Sequence, residues 1–196
     1  MHEVLPIGHE LGARHDGAGR QTWQVRIGAE VADLDEARFA AWSAAHGVSG
    51  DDGVVRPATA ESLRQDHGAE VVADLLARRL LAVPHPAEEF ASRHRLLPLV
   101  LGLGSTAREP WLFSVGLLDQ PVVTMTGALY DLWQWAHLSP DLWTACQETA
   151  RVAAAAGVTE AEETEPERVL AGALGSVAPL LAARTMCFDV RIEGVR

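Results

Sequence analysis

Apolar and polar residues alternate through Trp23-Gln24-Val25-Arg26-Ile27, and the alternation resumes at Val31-Ala32-Asp33-Leu34. Only Gly28-Ala29 and Glu30 lie between the two runs. A period of two on each side of a short Gly-containing connection predicts an antiparallel hairpin, with strands over 23–27 and 30–34. The period then lengthens. Phe39, Trp42 and His46 fall three and four residues apart, the spacing of one helical face, with Asp35 placed to cap that helix and Gly47 to end it. Thr59 predicts the cap of a second helix over 60–66, which Gly68 ends. Val72, Leu75, Leu76 and Leu80 stripe a third helix over roughly 69–79. Leu80 to Val83 reads as a short strand that Pro84 stops. The stretches 8–19, rich in Gly, and 48–57 read as loops.

The chain then repeats this plan. Leu5-Pro6 with Leu11-Gly12 recurs as Leu97-Pro98 with Leu103-Gly104. The first strand, from Trp23 to Gly28, matches Trp111 to Gly116, and Val31 to Asp35 matches Val122 to Thr126. Phe39, Trp42 and His46 recur as Tyr130, Trp133 and His137 at the same spacing. Beyond His137 the match thins to Glu70-x-Val72 against Glu167-x-Val169. Repetition at a fixed period is evidence of duplicated structural units. The second copy predicts strands over 111–115 and 122–125 and a helix over 127–137 capped by Thr126. A helix opened by Ser139-Pro140 follows, then an acidic loop, a helix from Pro166 toward Arg184, and a strand within 186–192. Residues 86–96 read as a linker helix.

Two short helices across a tight Gly turn make a helix-turn-helix pattern, and a flanking hairpin makes it a winged helix. The expected fold is therefore mainly α with short β hairpins, an α+β chain of tandem duplicated winged helix-turn-helix units. Unit one covers 1–86, the linker helix 87–95, and unit two 96–196. From Gln24 through Val83 the order resembles the leader-peptide recognition domains of modified-peptide biosynthesis, in which the hairpin precedes the helices. The residues that carry the resemblance are the hairpin, Leu34-Asp35, the run Thr59-Ala60-Glu61-Ser62-Leu63, and Leu75-Leu76 through Leu80-Leu81. The resemblance implies a peptide partner and no catalysis.

Charge narrows the choice of partner. The formal net charge is −11, and every basic residue is Arg. Such a chain is repelled by phosphate backbones at long range, so nucleic acid is the second expectation and another protein or peptide the first. A homodimer is left open. Cys146 and Cys187 form no CxxC pair, so two buried thiols are expected in place of a zinc site, and no cofactor is expected. The apolar run from Leu96 to Leu103 is too short to span a membrane, and no signal peptide opens the chain; the expected location is the cytoplasm.

Chemistry-bearing residues are few. His9 and His15 lie near Glu10 and Asp16, but the spacing fits no metal motif, and the second copy has Leu101 and Ala107 there. Gly102-Leu103-Gly104-Ser105 looks like part of a phosphate loop without its Lys and reads as a turn. Trp42 and Trp133, each followed by a His, read as core. No GxSxG, HExxH or complete GxGxxG occurs, so the chain reads as non-catalytic rather than as an enzyme. The basic concentration is Arg56, Arg64, His67, Arg78 and Arg79, with Arg93-His94-Arg95 beyond. The expected partner-binding residues are Val31, Asp33, Arg64, Arg78 and Arg79: strand 30–34 would offer backbone groups and the third helix would offer Arg donors. The surroundings of Trp135 and Trp143 are the next place to look. A DNA-binding regulator is the alternative, against which the Ala- and Gly-rich last helix offers little to read base edges.

Overall fold

The alternation around Val25 forms strands, and a third strand that the glycines conceal joins them. A computed structural model describes residues 3–49 and 54–192. The chain has a mixed α/β fold of short elements, divided into two units. The first comprises residues 1–84 with 188–190, and the second comprises 85–187 with 191–196.

In the first unit, β1 (Leu5–Pro6) precedes a meander of β2 (His9–His15), β3 (Gln21–Ile27) and β4 (Glu30–Leu34), in spatial order β2-β3-β4. The 8–19 stretch is thus largely strand, with a turn only after His15. Gly12 marks a bulge, while Gly17 and Gly19 lie in the turn. The β2–β3 register skips Leu11 between Glu10 and Gly12, and Gly12 holds φ at +95°, a conformation that glycine adopts freely. Gly8, at φ +102°, has no room for a side chain, since a Cβ there would lie 2.6 Å from the Arg26 carbonyl oxygen. Gly28 opens the two-residue turn between Ile27 and Glu30 at φ +57°.

Helix α1 (Glu36–Ala44) begins where Asp35 accepts the Arg38 N–H. After it, β5 (Val48–Ser49) pairs with β6 (Val55–Arg56); residues 50–53 of the expected 48–57 loop lie outside the described residues. Thr59 and Ser62 form a reciprocal capping pair at the start of α2 (Ala60–His67). Gly68 separates α2 from α3 (Ala69–Ala77), and β7 (Leu81–Ala82) then pairs antiparallel with β1. Val25, Leu34, Trp42, Leu63, Val72, Leu75 and Leu80 bury their side chains in one cluster. This core holds the sheet's inner face against the helices.

The second unit repeats the order. It opens with α4 (Ala87–Arg93), whose Phe90 and Ala91 are buried and which packs on later helices of the same unit. Strand β8 (His94–Pro98) follows, then the meander β9 (Leu101–Ser105), β10 (Leu112–Leu117) and β11 (Gln120–Thr126), in order β11-β10-β9. Helix α5 (Gly127–Trp135) runs into a 3-10 turn, Ala136–Leu138, which ends it earlier than the expected His137. Helix α6 (Leu142–Ala155) is capped by Asp141, which accepts the Thr144 N–H at 2.8 Å; the cap falls one residue beyond Ser139-Pro140. A single turn, α7 (Ala161–Thr164), lies in the acidic segment, and α8 (Pro166–Ala182) starts on its proline as expected. Strand β12 (Met186–Val190) pairs with β8.

Local geometry aligns the two units better than sequence does. Leu103 is skipped between Gly102 and Gly104, as Leu11 is, so the expected turn at Gly102–Ser105 is a bulged strand. Trp23 pairs with Leu34 and stacks on Phe39 at 5.2 Å; Phe113 pairs with Met125 and stacks on Tyr130 at 4.8 Å. Phe113, and not Trp111, therefore occupies the place of Trp23. Trp111 lies before the strand and is 65% exposed. The match also continues past His137, though not at Glu167. The Leu80 N–H reaches the Leu75 carbonyl and the Arg79 N–H that of Leu76; the Thr185 N–H reaches Leu180 and the Arg184 N–H reaches Leu181. Both sets form the bond pattern that closes a helix through one left-handed residue. Arg79 at φ +60° and Arg184 at φ +55° are those residues.

Arg at this position bears a steric cost that glycine avoids, and glycine returns part of that gain through a freer unfolded chain. Arg79→Gly is therefore expected to raise stability by about 0.5–1 kcal/mol in urea denaturation. A loss of stability would mean that the Arg79 side chain contributes more than its backbone strain takes away.

Candidate functional site

The hairpin leaves β4 at the edge of its sheet, with β3 on one side only. Val31 is 49% exposed on it, and Asp33 is exposed, its carboxylate accepting from Gln24 Nε2 at 2.9 Å. Helix α3 ends beside this edge. There Arg78 donates from its guanidinium to the Asp33 backbone carbonyl at 3.2 Å. The same guanidinium lies 3.5 Å from the Asp74 carboxylate. Asp74 also receives Arg38 Nε at 2.8 Å, and Arg38 pairs in turn with Asp35. A chain of alternating charge thus runs from β4 through α3 to α1. The Arg38 hydrogen bond, ahead of the two guanidinium charges, holds the Asp74 carboxyl below its ordinary range.

This geometry brings Val31, Asp33 and Arg78 together. Arg79 is exposed on the residue that turns the chain out of α3. Arg64 is exposed on α2, and no hydrogen bond or ion pair links it to Arg78 or β4 among the described residues. Sequence reasoning treated Arg78 as a donor waiting for a partner. The structure shows it already engaged, because Asp74 lies four residues earlier on the same helix face.

The other singled-out residues resolve differently. Trp42 is fully buried, donates its indole N–H to the Ile7 carbonyl at 3.1 Å, and meets the His46 ring edge-on at 4.6 Å. Trp133 is likewise buried and donates to the Thr185 carbonyl at 3.2 Å. The histidines part company: His46 is 5% exposed, while His137 is exposed. His9 is half-buried, and desolvation, followed by the Arg26 charge, lowers its pKa. His15 lies exposed toward the end of β2, and no metal-holding group of His, Cys, Asp or Glu occurs among the described residues. Both cysteines are buried, with no disulfide. Burial, with the Asp141 charge second, pushes the Cys146 thiol up to about 12, far from a nucleophile's range. Among the described residues, no helix is long and apolar enough to cross a membrane.

The surroundings of Trp135, named in the sequence as a second place to look, hold a cavity of about 630 Å³ within the second unit that the sequence did not reveal as such. It is lined by α5, α6, the α7 segment and α8, and Trp143 is not part of its lining. Leu132, Trp135, Ala145, Val152, Val169 and Ala173 supply apolar wall, and Asp131, Glu148, Glu162 and Glu163 supply carboxylates. Desolvation raises the Asp131 carboxyl above its ordinary range. One signal in the sequence pointed here. Gly172 lies inside a helix, where glycine costs about 1 kcal/mol relative to alanine, and a Cβ on it would meet nothing within 4 Å. Neither a family model, nor a curated protein, nor a solved structure matches the chain.

Proposed function

We propose that this chain is a non-catalytic recognition protein, built from two winged-helix-like units, that takes an extended peptide along β4 of its first unit. The observation that carries the reading is the β4 edge lying within reach of Arg78, whose guanidinium already donates to the Asp33 carbonyl. An added strand would present a backbone N–H to the same carbonyl, and backbone pairing gives affinity with little demand on sequence. Arg78, displaced from Asp33, and the exposed Arg79 would then select acidic side chains through charge-assisted bonds. The repeated order of meander and helices, and the resemblance to leader-peptide recognition domains, support the same reading. The DNA-binding alternative is less favoured, since Arg78 is tied to Asp74 and the net charge is −11.

A display library of unstructured peptides, panned against the full chain, tests this. Selected sequences are expected to be acidic and to slow hydrogen exchange at the β4 amides. Arg78→Ala combined with Arg79→Gly, which keeps the helix end in its turn, is expected to weaken them at least about tenfold with the fold intact. Selected peptides that protect other segments, or that ignore the double substitution, would place the site elsewhere.

A further inference from the structure

The cavity of the second unit differs in chemistry from the β4 edge. Its volume of about 630 Å³ is that of a small-molecule site rather than a packing defect. Its wall is mostly apolar, so it suits an occupant with an apolar body. None of its lining residues is basic, whereas three elements bring carboxylates to it: Asp131 from α5, Glu148 from α6, and Glu162 and Glu163 from α7. Glu148 is matched by Arg151 at 2.9 Å, which leaves Asp131, Glu162 and Glu163 outside any ion pair among the described residues. Trp135 lines the cavity while 56% exposed, so its indole can receive a cation near the mouth.

We infer that this cavity binds a small organic cation, an apolar body of drug-like size carrying an ammonium group. The apolar part would lie against Leu132, Val152 and Ala173. The ammonium would lie by Trp135 and the unmatched carboxylates, where indole and carboxylate both attract a positive charge. An anion of the same shape would meet only negative charge. Nothing in this inference requires a peptide on β4.

Calorimetric titration of the full chain with decyltrimethylammonium, decanoate and decanol, all below aggregation, tests it. The ammonium is expected to bind one to one, at least about tenfold tighter than decanoate. Gly172→Phe should fill the cavity and abolish that binding. Because such a variant can disturb α8, a second one carries Asp131→Asn, Glu162→Gln and Glu163→Gln, which keep the shapes and remove the charge. It should lose the preference for ammonium and retain decanol. Arg78→Ala with Arg79→Gly should leave ammonium binding unchanged, which separates this site from the one on β4. Equal binding of the three probes, a preference for decanoate, or ammonium binding undiminished in a folded Gly172→Phe protein would overturn the assignment.

Discussion

Trp42→Ala is expected to cost about 3–5 kcal/mol, the largest loss from any single truncation in the first unit. Three separate contributions are removed together. The indole is fully buried, so its removal leaves a cavity beneath the meander. It stacks between Phe39, at 6.0 Å, and the edge of His46, which links α1 to the sheet through Trp23. Its N–H satisfies the Ile7 carbonyl, which would lose that partner in a buried setting. Trp42→Phe keeps the stack and loses the donor, so about 1–2 kcal/mol is expected there. Urea denaturation of the two variants measures both. A loss below about 1 kcal/mol for Trp42→Ala would show that the site collapses around the gap.

Asp189→Ala ranks second, at about 2–4 kcal/mol. The Asp189 carboxylate is buried and accepts three donors: the Gly28 N–H at 2.7 Å, Arg26 at 3.0 Å and the Val190 N–H at 2.9 Å. Alanine would leave the turn amide of Gly28 unbonded and Arg26 without its counter-ion. Arg26 keeps its bond to the Gly28 carbonyl and is one-third exposed, so the loss falls short of that for a fully enclosed pair. Asp189→Asn preserves the shape and one acceptor, and about half the loss is expected. A double-mutant cycle with Arg26→Ala separates the ion pair from the amide bonds. A cycle with no coupling would mean that the carboxylate acts only through Gly28 and Val190.

How much was legible in the sequence depended on whether a signal was local. The hairpin at Gly28, the Asp35 and Thr59 caps and the Pro166 start came from residues that act on their own neighbours, and those elements stand where the pattern placed them. The bulged strands β2 and β9 were misread because Gly8, Gly12, Gly102 and Gly104 signal a turn as readily as a bulge, and only pairing with β3 or β10 distinguishes the two. The register of β10 was set two residues early by the identity of Trp111 with Trp23; stacking on Tyr130, which no spacing reveals, selects Phe113. At the candidate site, Val31, Asp33 and Arg78 were named together, but the tie of Arg78 to its own helix depends on rotamers. The cavity left little trace in the sequence because its wall is shared among the successive elements α5 to α8, and only their packing encloses it.

The membership of Phe188–Val190 in the first unit also bears on the order in which this chain matures. A growing polypeptide delivers residues 1–84 first, yet the carboxylate that satisfies Gly28 and Arg26 lies 161 residues beyond Gly28. The whole of 85–187, enough to form the second unit's core, is synthesised in between. The first unit therefore waits, with the Gly28 amide unbonded and Arg26 without its counter-ion, until Asp189 has been added. Vectorial synthesis thus delivers residues 1–84 well before the strand residues that complete them, and during that interval the β3–β4 hairpin is open to chaperones and proteases.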